Sequence, residues 1–177
     1  MPDPMHPAVV HFPIVFMIVL PLTMLAAFLL ARRGVPVRVA WVGVVAASAL
    51  LAVSSFAAVR SGSSQEERVE EVVPESALED HEERGEAFML ASVAVLALTS
   101  LGLAKGRVGE IGRTIAVLAA IALIPLGALV GHSGGNLVYR HGAATAYATA
   151  RGPVAVGAER GRSGDREVER DHDRDER

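Results

Sequence analysis

Four long stretches without a formally charged side chain constrain this chain more than any other feature. They cover residues 8–31, 39–59, 87–104 and 114–139. A helix that crosses about 30 Å of hydrocarbon needs roughly 17–25 predominantly apolar residues, and each stretch meets that length. A water-soluble four-helix bundle would need a polar face on every helix, and these have none. The first stretch does not read as a cleaved signal peptide. Asp3 is the only charged side chain before it, and it ends in Arg32 and Arg33 rather than in a small-residue cleavage site. Half of the composition is hydrophobic (51%) and the net charge is −3, which argues against a nucleic-acid binder. The absence of cysteine excludes disulfides, thiolate-held iron–sulfur clusters and thioether-attached haem.

The expected architecture is all-α: a four-transmembrane-helix bundle within residues 1–144. Its helices are expected near 8–31, 39–59, 77–104 and 112–139. Basic residues set the orientation. Arg32, Arg33 and Arg38 lie in the first connection, and Lys105, Arg107 and Arg113 in the third, whereas the N-terminal segment has none. Both termini are therefore placed outside the cytoplasm, in a bacterial cytoplasmic membrane. The second connection, residues 60–86, holds ten acids against three arginines and forms an acidic extracytoplasmic loop. In it, residues 63–73 read as a short amphipathic surface helix ended by Pro74. Ser76 and Glu79 then have the spacing of a capping box, which starts the third helix near Ala77. The tail, residues 151–177, mixes seven arginines with eight acids and is expected to be disordered. No internal repeat is evident.

Histidine is the other informative residue. At about 1.5 Å per helical residue, His11 lies roughly 30 Å from the cytoplasmic end of helix one. His132 lies roughly 28 Å along helix four, and His81 roughly 34 Å along helix three. Imidazoles from three helices thus share one shallow layer near the outer surface, with His6 and His141 farther out. Pro125, Ala128, His132, Gly135, Asn136 and Tyr139 share a polar or small face that is expected to point into the bundle. Gly127, Gly131 and Gly135 form a small-residue ladder on the same helix. On helix three, His81, Gly85, Phe88 and Ser92 line up similarly. His6 is read as an N-cap before Pro7 at the first helical position.

Residues 6–14, His-Pro-Ala-Val-Val-His-Phe-Pro-Ile, and residues 134–142, Gly-Gly-Asn-Leu-Val-Tyr-Arg-His-Gly, carry a resemblance. So do the Ser61-Gly62 pair and His81-Glu82. In these motifs the chain resembles the membrane family called domain of unknown function 2231, over about residues 5–144. The resemblance implies a four-span bacterial membrane domain with histidine motifs at the outer helix ends, of a kind found beside redox proteins. It implies no substrate and no reaction.

Three functions compete. The first is a haem b-binding, cytochrome-like protein for electron transfer, with His11 and His132 as axial ligands and His81 as the substitute for either. Gly131 and Gly135 would make room for the macrocycle, and Arg84 or Arg140 would pair with propionates. Electrons would pass between a membrane quinone and an extracytoplasmic redox protein. The second is a non-haem site for zinc, copper or iron, built from His6, His11, His81, His132 and His141 with Glu82 or Glu83, and with Met1 and Met5 beside His6. The third is a structural membrane anchor or accessory subunit of a redox complex, whose glycine ladder and acidic loop are interaction surfaces; the expected partners include the lipid bilayer and, in a homo-oligomer, further copies of the chain. No serine-centred hydrolase motif is present, and no nucleic-acid partner is expected.

Overall fold

Proline and glycine punctuate the helices. The computed structural model describes residues 5–148; the charged tail expected to be disordered lies outside the described residues. Helix α1 (His6–Val9) is followed, after Val10, by α2 (His11–Arg32). Pro13 has no amide hydrogen to offer the Val9 carbonyl, so the helical ladder is interrupted one turn before it. Gly34, at φ 93°, takes the left-handed turn that ends α2, and the Val35 amide reaches back to the Leu30 carbonyl at 3.1 Å. Pro36 precedes α3 (Val37–Ser63), and a single turn, α4 (Glu66–Val69), lies in the acidic connection. Pro74 precedes α5 (Glu75–Leu101), then come α6 (Gly106–Tyr139) and the short α7 (Thr145–Ala148).

Four of these segments are long and apolar enough to cross a membrane: His6–Arg32, Val37–Ser63, Glu75–Leu101 and Gly106–Tyr139. Their order and all-α character are those expected from the sequence. Two caps differ. Pro74, not a serine, occupies the N-cap of α5, no side chain caps that end, and the helix begins at Glu75. Met5 stands at the N-cap of α1, so His6 is the first helical residue and its ring is free for other contacts.

The bundle has an apolar core with a few hydroxyls buried in it, and its outer surface is apolar as well. Packing is most extensive between α2 and α3 and between α5 and α6, then between α3 and α5, and sparser between α2 and α6. Leu20, Val44, Leu51 and Ala116 are fully buried, yet so are Ser48, Ser92 and Thr99. Meanwhile Val53 is 67% exposed and Leu90 64%. Water would penalise that distribution, and hydrocarbon favours it.

The α3–α5 seam explains how hydroxyls tolerate burial. Trp41, Ser48, Ser55 and Gly62 recur at heptad spacing on α3, and Leu78, Gly85, Ser92 and Thr99 do so on α5. Ser48 Oγ and Thr99 Oγ1 are 2.7 Å apart, Ser55 donates to Ser92 at 3.4 Å, and the Trp41 indole donates to the Thr99 carbonyl at 2.9 Å. Small residues let the backbones approach, and each hydroxyl finds a partner.

At one end, the carbonyls just past the last turn of α5 receive two guanidiniums: Arg113 donates to Gly102, the C-cap, and Arg38 to Leu103, both at 2.6 Å. Such cations satisfy the open, negatively polarised end of a helix. At the other end, Val73, Leu78, Leu137 and Ala143 form a second small core, which ties the acidic connection to α5 and α6.

Candidate functional site

The α1 start, the α3 end, the second turn of α5 and the last turns of α6 lie at the end of the bundle that holds this second core. There the His6 and His81 rings meet edge to face, with centroids 6.3 Å apart and planes at 83°. His6 Nδ1 lies 3.0 Å from the Ala58 carbonyl and 2.9 Å from Ser61 Oγ. His81 Nδ1 lies 2.9 Å from Ser133 Oγ. Glycine makes room for both rings. A Cβ at Gly62 would stand 3.2 Å from His6 Cε1, and one at Gly134 would stand 3.0 Å from His81 Cε1. Both imidazoles are half-buried, whereas Ser133 is buried.

Each of the two hydroxyls also reaches a backbone carbonyl of its own helix. Ser61 donates to the Ala58 carbonyl at 2.8 Å and Ser133 to the Val130 carbonyl at 2.9 Å. A serine has one hydrogen, so an Oγ that gives it to the carbonyl accepts from the neighbouring ring nitrogen. Chemically, the pair presents ring nitrogens suited to a borderline transition metal, with imidazole orientation fixed by outer hydrogen bonds.

The other residues singled out in the sequence fall elsewhere. His11 is exposed and bonds at 2.7 Å to the Pro7 carbonyl of its own turn. His132 is exposed too, as are Pro125, Ala128 and Tyr139, so the stripe expected to face inward points mostly outward. The inward face of α6 runs instead through Ala116, Ala120, Leu123, Ser133 and Leu137. The glycine ladder divides in the same way. Gly127 packs tightly on Met17 and Phe88, whereas a Cβ at Gly131 or Gly135 would meet nothing within 4 Å. On α5, Phe88 and Ser92 are buried, as the alignment with His81 and Gly85 implied. Arg84 pairs with Asp80 at 2.7 Å, and Arg140 is exposed at the end of α6. His141 is half-buried just beyond it, Met5 is exposed at the start of α1, and Met1 lies outside the described residues. Glu82 lines a shallow acidic basin with Glu66, Glu70, Glu75 and Glu79. Among the described residues no group of three or more histidine or acidic side chains is placed to hold one ion.

What the sequence reading missed is a repetition. Ser-Gly recurs at 61–62 and 133–134, and each serine bonds a histidine 55 or 52 residues before it. That recurrence is visible in the letters, but only the contact with a histidine gives it meaning. Each of the four stretches that carry the family resemblance contributes a residue to this one place: His6, Gly62 with Ser61, His81 and Gly134.

No curated protein and no solved structure matches the chain. A family model does match it, from residue 2 to residue 147, and its description agrees with the apolar outer surface and the four spans. The chain belongs to the family described as predicted membrane protein (DUF2231).

Proposed function

We propose that this integral membrane protein binds a borderline transition-metal ion (copper, zinc or iron) between the imidazoles of His6 and His81. The observation that carries the reading is the 6.3 Å separation of the two ring centroids. With metal–nitrogen bonds of about 2.0–2.1 Å, two imidazoles on one ion hold their ring centres roughly 5–6.5 Å apart. Two nitrogen donors leave the remaining coordination positions to small exogenous ligands. That suits delivery of an ion or electron transfer by it at the membrane surface. A Cβ at Gly131 or Gly135 would meet nothing within 4 Å, so neither glycine frames a slot for a macrocycle beside the imidazole pair, which favours an ion over haem b.

Metal analysis and visible spectra of detergent-purified protein test this. Wild type is expected to carry a stoichiometric ion without a Soret band. His6→Ala and His81→Ala are expected to lose it, and His132→Ala to keep it. A Soret band that disappears with His6 or His81 would replace the ion with haem b at the same pair. Colourless, metal-free protein that takes up no added copper, zinc or iron would leave the structural anchor as the function.

A further inference from the structure

We propose that the chain builds its imidazole pair from one device used twice, each hairpin fixing its own histidine as the Nδ1–H tautomer so that the site presents two Nε2 lone pairs. In the first hairpin, His6 opens α1 and Ser61-Gly62 lies in the last turn of α3. In the second, His81 lies near the start of α5 and Ser133-Gly134 lies near the end of α6. Each half thus enters the membrane behind a histidine and returns with a hydroxyl and a glycine beside it. The glycine admits the ring and the hydroxyl orients it.

The hydrogen-bond inventory assigns the tautomers. Ala58 offers His6 a carbonyl, which only accepts, so His6 Nδ1 carries the proton at that 3.0 Å contact. Ser61 spends its hydrogen on the same carbonyl and accepts from the ring as well. For His81, one arrangement satisfies both contacts of Ser133: the hydroxyl donates to Val130 and accepts from Nδ1–H. Ser133 is accordingly the positioning residue of His81, and the Ala58 carbonyl with Ser61 positions His6. A neutral imidazole with its proton on Nδ1 has its free electron pair on Nε2, the nitrogen left to bind a metal.

This inference deepens the metal-ion reading above, but the tautomers exist without any ion, and the experiment is done on metal-free protein. Full-length protein with nitrogen-15 in its histidine rings is studied by NMR at about pH 8.5, above the ordinary imidazole range. Signals are assigned by their loss in His6→Ala and His81→Ala. Both rings are expected to show protonated Nδ1 and unprotonated Nε2; protonated Nε2 in either ring of wild type overturns the proposal. Ser133→Ala is expected to introduce a protonated-Nε2 population at His81 alone, and Ser133→Thr, which keeps the hydroxyl, to restore the wild-type pattern. A His81 signal indifferent to Ser133→Ala removes the positioning role. Protein that binds no metal yet shows both Nδ1–H rings keeps this inference and loses the earlier one. Metal-binding protein with protonated Nε2 when metal-free does the reverse.

Discussion

A glycine beside a ring is a statement about distance. Gly134 leaves His81 Cε1 only 3.0 Å from the place a Cβ would take, while Gly131, less than one turn earlier on the same helix, borders open space. Gly134→Ala is therefore expected to displace the imidazole and weaken metal binding by about 10–100-fold, the usual cost of disturbing the support of a ligand. Gly131→Ala should leave it unchanged; competition with a chromophoric chelator measures both. The contrast shows what the sequence could convey about the site. Helix arithmetic located His11, His81 and His132 in depth, because rise per residue is fixed. It did not fix their facing. His132 is roughly 200° around the helix from Gly134, and depth alone cannot tell these two directions apart. The readable signal was the phase of small residues through Ala116, Ala120 and Ser133, since in lipid the small and hydroxylated face turns inward.

Among the elements, the α3–α5 seam is held by hydroxyls where a soluble bundle would use leucine. Thr99 shares a hydrogen bond with Ser48 through its side chain and receives the Trp41 indole on its carbonyl, with no exposed surface of its own. Thr99→Val keeps the volume and removes the side-chain bond. It is expected to cost about 0.6 kcal/mol, the average for hydrogen bonds between membrane helices, and no more than about 1.7 kcal/mol, read from unfolding in mixed micelles. Gly102→Ala is expected to cost more, about 1–3 kcal/mol by overpacking, because its new methyl would collide with the Trp41 indole. Helix existence was legible from uncharged length alone. The caps were not: Ser76 and Glu79 fit a capping pattern, but Pro74 had already fixed the backbone into which α5 starts.

For the whole molecule, four crossings place both ends of the bundle's chain on one side of the bilayer. From Arg32, Arg33, Arg38, Lys105, Arg107 and Arg113 in the two short connections, we propose that this side is the exterior. Arg38 and Arg113 also cap α5, so part of this charge serves the fold as well as the orientation. The chain has no cysteine, which makes single-cysteine labelling unambiguous. Glu70→Cys should react with an impermeant maleimide on intact cells, and Lys105→Cys only after the membrane is opened. The opposite pattern would invert the orientation and put the imidazole pair on the cytoplasmic face. Because each imidazole is anchored within its own hairpin, the gap between the two rings is a gauge of how the hairpins sit against each other. A lateral strain that pries α3 from α5 would widen that gap, while the contacts of each ring to its own serine survived. An ion shared by the two rings, as proposed above, would be held only while the hairpins stay seated against each other.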